Sequence, residues 1–228
     1  MTEWELRLDN PAIGVKTFPE FRRERFFSDA ELQQIGRALA ELEAAGEAHP
    51  GAVRVIRLLA LTGMRLSEVV GMQWAWIDFD EGCLRLPDAK AGPRAVPLGG
   101  VALSYLSSLD RISSFVCYGA QAPGAVLDRP VGLKTVKRFW PVLRDRAELK
   151  GARMHDFRHT VGTLAAFTGA NGFIVRDVLG HRSMSTTDGY VARVTAPLRK
   201  TADQVASRIA AAMNGGPTAE IVPLRKPS

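Results

Sequence analysis

The sequence predicts a mainly α-helical protein with a small antiparallel β-sheet, and three observations lead there. Apolar residues recur at three- and four-residue spacing through most of the 228-residue chain. The spacing changes to alternation only between Cys83 and Leu98. At 46% hydrophobic and 24% charged residues, the composition is that of a globular chain and excludes a disordered, collagen-like or coiled-coil one.

Residues 1–25 are polar and punctuated by Pro11, Gly14 and Pro19, which reads as a linker or arm. A single domain is expected over 26–213, and residues 214–228, beginning with Asn214-Gly215-Gly216-Pro217, read as a disordered tail. Within the domain, Ser28-Asp29-Ala30-Glu31 offers an N-cap with a glutamate three residues on, followed by Leu32, Ile35, Leu39 and Leu42 on one stripe. A second apolar run covers 54–61, Thr62-Gly63 interrupts it, and a helical pattern resumes over 65–73. Cys83 to Leu86 and Ala95 to Leu98 alternate about a turn-rich Pro87 to Pro93, predicting a hairpin or meander. Further helices are predicted near 103–109, 133–147, 155–168, 173–179 and 198–213, the last with Leu198, Ala202, Val205, Ile209 and Ala212 on one stripe.

Cys83 and Cys117 are too few for a disulfide scaffold, which suggests a reducing, cytoplasmic setting. No window approaches about 20 consecutive apolar residues and no signal peptide opens the chain, so no membrane association is expected. Thirty Lys plus Arg against 24 Asp plus Glu leave a net charge of +6, which suits a polyanionic partner. The charge concentrates over 134–158, where eight basic residues, among them Lys134, Lys137 and Arg138, face three acids. A solvated helix face would account for that stretch equally well.

Three of the four histidines, His155, His159 and His181, fall within 27 residues. In His155-Asp156-Phe157-Arg158-His159, offsets of three and four place His155, Arg158 and His159 on overlapping parts of one helical face, a combination suited to an anion. The i, i+4 histidines also have zincin spacing, but Asp156 stands where that motif needs a glutamate, and Arg158 would push a cation into the ligand shell; no metal is expected. Arg65 and Glu68 sit one helical turn apart, which in isolation is a surface pair worth ~0.3 kcal/mol. Lys90 lies in the turn between the two predicted strands, and Tyr190 follows the polar turn Thr186-Thr187-Asp188-Gly189.

Taken together, five ordered blocks resemble the catalytic domain of the tyrosine recombinases, the phage integrase family: Thr62-Gly63-Met64-Arg65-Leu66-Ser67-Glu68 with Trp74-Ala75-Trp76-Ile77-Asp78 after it, Lys90 to Leu98, His155 to Thr160, Leu179-Gly180-His181, and Tyr190. The resemblance covers about residues 10 to 213 and implies a mostly α fold, that of the DNA breaking-rejoining enzymes, with a three-stranded antiparallel sheet after Trp76. It implies an enzyme that cuts and rejoins double-stranded DNA, in phage or mobile-element integration, excision or a related recombination, with no cofactor.

Residue by residue, the resemblance makes Tyr190 the nucleophile that forms a 3′-phosphotyrosine link, with Arg65 and Arg158 clamping the scissile phosphate and His181 adding a donor. Lys90 would protonate the departing 5′-oxygen, with Arg94 and Lys134 as alternatives, and His155 would take the Tyr190 proton. Glu68 and His159 would brace these groups, and Lys134, Lys137 and Arg138 would contact DNA. A monomer in free solution and a tetramer on DNA are expected. The helix after Tyr190 would dock onto a neighbouring protomer, the alternative being packing on its own core. Family members usually carry a separate DNA-binding domain ahead of the catalytic one; about 25 residues precede it here, so weak, strongly salt-dependent DNA binding is expected. Two other readings stay open: a catalytically idle DNA-binding relative, and a type IB topoisomerase-like activity.

Overall fold

The computed structural model describes residue 14 and residues 25–87, 92–119, 128–168, 172–179 and 196–215. Eight α-helices and a short 3₁₀ turn are found among them: α1 Asp29–Ala44, α2 Pro50–Thr62, α3 Leu66–Val70, the 3₁₀ turn Trp74–Trp76, α4 Gly100–Ser107, α5 Leu133–Arg146, α6 Asp156–Phe167, α7 Gly172–Leu179 and α8 Ala196–Met213. The strands β1 Ile77–Asp78, β2 Cys83–Leu86 and β3 Arg94–Pro97 form one antiparallel sheet in the order β1-β2-β3. The fold class is thus the one predicted.

Helix α1 starts where its capping residues dictate. Ser28 Oγ accepts from the Glu31 N–H at 3.2 Å and Glu31 Oε2 accepts from the Ser28 N–H at 2.9 Å, satisfying two otherwise orphaned donors. Its stripe of Leu32, Ile35, Ala38, Leu39 and Leu42 is buried. Pro50 opens α2, four residues earlier than the apolar run suggests, because a proline at the first helical position loses no hydrogen bond. α2 is buried on nearly every side and packs against α3, α4, α5, α6 and α8.

Gly63 ends α2 in the left-handed conformation (φ +63°), donating its N–H to Leu59 O at 3.0 Å. A β-carbon at Gly63 would meet Val161 Cβ at 2.9 Å, so glycine serves both the turn and the approach of α6. The helix predicted over 65–73 is shorter, ending at Val70 before Gly71, and the one predicted over 103–109 starts earlier, at Gly100. In the sheet, Leu84 pairs with both Ile77 and Val96, and Leu86 opposite Arg94 closes the β2–β3 ladder at its hairpin end.

The start of α6 is anchored by an aromatic group and one hydroxyl. Phe157 packs against Phe27 (ring centroids 4.8 Å apart) and Trp140 (5.8 Å), and Trp140 Nε1 donates to Ala152 O at 3.2 Å. Thr160 Oγ1 donates to Asp156 O and accepts from the Phe27 N–H, both at 2.8 Å, which ties the segment before α1 to α6.

Without a partner, helix α8 packs its stripe on the chain's own core. Val205, Ala206, Ile209 and Ala212 are buried, and α8 lies against α1, α2, α4, α6 and α7. The physical reason is close approach: a β-carbon on Gly36 of α1 would overlap the Met213 carbonyl at the end of α8. Gly36→Ala is therefore expected to destabilise the protein by about 2 kcal/mol or more through overpacking, read as a lower urea midpoint at unchanged m-value. An unchanged midpoint would mean that the two helices are not in contact there.

Candidate active site

The turn at Gly63, the first residues of α3, the start of β3, the first turns of α6 and the last residue of α7 come together around a group of guanidinium side chains. Arg158, on α6, is 4% exposed; its Nη1 donates to Gly63 O at 2.8 Å and its Nη2 to Leu179 O at 2.7 Å. Two of its five N–H groups are thus spent on helix-terminal carbonyls, and they fix the direction of the planar fork.

Arg65 stands at the N-cap of α3, two residues beyond the Gly63 carbonyl that Arg158 holds. Glu68 grips it twice: Oε1 accepts from Arg65 Nη1 at 2.9 Å and Oε2 from the Arg65 backbone N–H at 3.0 Å. The same Oε2 accepts from Arg94 Nη2 at 2.7 Å. The Glu68 side chain is only 10% exposed, so this is a largely buried carboxylate between two cations. Burial alone would raise its pKa, but the bonds from Arg94 and Arg65 outweigh that and hold the carboxyl below its ordinary value.

Three guanidinium groups against one carboxylate leave an excess of positive charge. Burial, followed by the neighbouring charges of Arg65 and Arg94, pushes the Arg158 pKa down to about 10, with Glu68 opposing. Arg158 stays protonated near neutrality, yet its environment would accept negative charge gladly. Beside it, the His155 and His159 rings meet edge to face at 4.9 Å, and a cleft of about 340 Å³ opens between His155, Arg158, His159, Gly162, Thr163 and Leu179. The His155 pKa is lowered first by burial and then by the charges of His159, Arg158 and Arg65, with Asp156 opposing. A neutral imidazole beside a cationic anion site can accept a proton.

The structure therefore gathers Arg65, Glu68, His155, Arg158 and His159, which the sequence separates by up to 94 residues. Lys90, His181 and Tyr190 lie outside the described residues. Lys134, Lys137 and Arg138 are exposed on α5, opposite the buried Val136, Phe139 and Leu143, and no described hydrogen bond or ion pair links them to the cluster. Arg94, which the sequence offers as an alternative to Lys90, is bonded to Glu68 Oε2, a contact the sequence does not signal because no local spacing relates positions 94 and 68. Among the described residues no group of three or more His, Cys, Asp or Glu side chains could hold a metal ion, and no helix is long and apolar enough to cross a membrane.

Comparison with known proteins gives the same direction. Residues 25–196 match the model of the phage integrase family. Tyrosine recombinase XerC of Roseiflexus sp. is 31% identical over 142 residues, covering 60% of this chain and 45% of its own length. Tyrosine recombinase XerD of Chlorobaculum tepidum is 27% identical over 160 residues, covering 65% of this chain and 53% of its own. The chain spans about half the length of these curated relatives. Among solved structures, the integrase from mycobacterium phage Brujita superposes with a TM-score of 0.61 at 18% identity, covering 89% of this chain and 69% of that one. A lambda integrase dimer bound to a COC′ core site gives 0.57 at 20% identity, covering 79% and 67%.

The His155 imidazole is expected to titrate below the ordinary histidine value of about 6.5 in an NMR titration, and to move upward in Arg65→Met as one repelling charge is removed. The folded state then holds fewer protons than the unfolded one, so His155 costs stability as pH falls through the ordinary imidazole range. A midpoint at or above the ordinary value would contradict the cationic surroundings described.

Proposed function

The chain belongs to the phage integrase family, and on that premise we propose that it is a site-specific DNA recombinase that cuts and rejoins strands through a 3′-phosphotyrosine intermediate. The observation that carries the reading is the convergence of Arg65 and Arg158, fixed by Glu68 and by two backbone carbonyls, beside the His155 cleft. An anion-seeking pair of rigid forks with a neutral imidazole alongside is what in-line displacement at a phosphodiester needs.

In this reading the Tyr190 oxygen attacks the scissile phosphorus and its proton passes to His155. The new O–P bond replaces the bond to the 5′-oxygen, which leaves with a proton from Lys90. Arg65 and Arg158 hold the two non-bridging oxygens as charge builds on them, and His181 adds a third donor. Reversal with a different 5′-hydroxyl rejoins the strand, and because the phosphodiester energy is kept in the tyrosyl link, no nucleotide is consumed.

Chain connectivity supports the three assignments outside the described residues. Lys90 precedes Arg94 by four positions in the chain, His181 follows by two the Leu179 carbonyl that Arg158 holds, and Tyr190 comes nine residues later. Glu68 braces Arg65, and His159 supports the His155 ring. The partner is double-stranded DNA, approached through the basic surface that includes Lys134, Lys137 and Arg138. A monomer that becomes a tetramer on DNA is supported by the likeness in fold to a lambda integrase tetramer solved on a Holliday junction (TM-score 0.58, 19% identity, 80% of this chain and 54% of that one).

Incubated with a pool of nicked duplexes of randomised sequence, the protein is expected to form a covalent adduct that survives denaturation and is absent in Tyr190→Phe. Arg65→Gln is expected to slow adduct formation about 100-fold or more. No adduct from the unaltered protein, or an undiminished one from Tyr190→Phe, overturns the reading. Duplex binding is expected to weaken steeply with added salt, because phosphate contacts dominate it. Affinity unchanged between low and high salt would contradict a phosphate-led interface.

A further inference from the structure

Two buried arginines of this chain differ in a way that bears on the site. Arg54, on α2 and 7% exposed, is fully used as a structural group. Its Nη1 donates to Val116 O at 3.1 Å and Asp110 O at 3.3 Å, its Nη2 lies 3.4 Å from the Tyr118 hydroxyl, and its guanidinium stacks 4.6 Å from the Tyr118 ring centre. Arg94 has a side chain only 14% exposed, yet its Nε and Nη1 are buried without a hydrogen-bond partner among the described residues. Its only described bond is to Glu68 Oε2. A guanidinium kept with two donors unpaired is a poor structural bolt, since unsatisfied buried donors oppose folding. What it does supply at that place is charge.

The charge has a specific use. Glu68 is the brace that fixes Arg65, through both the side chain and the backbone N–H. A carboxylate in contact with a phosphate-binding arginine also competes with the phosphate for it. If Arg65 and Glu68 stood alone, they would form a neutral pair. Arg94, reaching Glu68 from β3, returns the positive charge without loosening the brace, and its field extends to Arg158, where it acts in the same sense as that of Arg65.

We propose that Arg94 is a positioning residue of the phosphate site: it balances the Glu68 carboxylate, so that Glu68 holds Arg65 in place without cancelling the charge Arg65 presents to DNA. This rests on the recombinase reading of the site. It differs from a general-acid role, since Arg94 acts through Glu68 and not on the leaving oxygen.

A two-residue cycle tests it, read both as the rate of covalent adduct formation on the randomised nicked duplexes and as the affinity for inorganic phosphate measured by calorimetry. Arg94→Met is expected to lower both, the adduct rate about 100-fold, a loss of the size seen when one charge-stabilising group is removed. Adding Glu68→Gln, which removes the competing charge but keeps an acceptor oxygen for Arg65, is expected to regain about tenfold. A group that merely supported the fold would give a double variant no better than Arg94→Met alone, and that result overturns the inference, as does an Arg94→Met protein equal to the unaltered one.

If Arg94→Met does not fold, Arg94→Gln takes its place. A single variant that unfolds while the corresponding double variant folds shows Arg94 serving the fold through Glu68, and overturns the inference. Unfolding of both overturns it. Absence of any adduct from the unaltered protein overturns the recombinase reading, and the phosphate-affinity arm then decides the Arg94 inference by itself.

Discussion

The burial of the Arg158 guanidinium is the constraint on which the rest of the structure depends. A charge taken out of water costs several kcal/mol, about as much as a typical domain's whole margin can absorb, unless it finds well-aligned partners. Arg158 finds two, the carbonyls of Gly63 and Leu179. Both lie at the C-terminal ends of helices, α2 and α7, where carbonyls lack intrahelical partners and carry the negative end of the helix dipole. One side chain on α6 thereby fastens two other helices by their ends. The Gly63 end lies two residues before Arg65, so satisfying this buried charge also places Arg65 beside Arg158.

The electrostatics follow from the same packing. Helix α6 brings Arg158 and the two histidines to one surface, and α3 and β3 bring Arg65 and Arg94 beside it with Glu68 as the common counter-ion. The cluster is left cationic, and burial first, then these like charges, lowers the pKa of both Arg158 and His155. An anion in the cleft would offset the like-charge part of both shifts. Held among these groups, it would offset the crowded positive charge at little reorganisation cost.

Much of this was legible in the sequence, for reasons that can be named. The capping box at Ser28 and Glu31, the α1 stripe and the single switch to alternation at Cys83 are local signals, and local signals survive folding. Arg65, Glu68, His155, Arg158 and His159 were found because short motifs carry them. What escaped depends on distances that no spacing encodes. The bond between Arg94 and Glu68 spans 26 positions, the carbonyl partners of Arg158 leave no trace in side-chain identity, and Thr160 reaches back 133 positions to the Phe27 N–H. Helix α8 shows the complementary case: its stripe was plain, but only the contact of Gly36 with Met213 says that the surface it covers is the chain's own.

The most direct measurement is a crystal structure of the protein with a nicked duplex. The account predicts one backbone phosphate within hydrogen-bonding distance of both Arg65 and Arg158, with Glu68 still bonded to Arg65 and the Tyr190 oxygen aligned with the scissile bond. DNA lying on another face, with Arg158 engaged only by the Gly63 and Leu179 carbonyls, would contradict it.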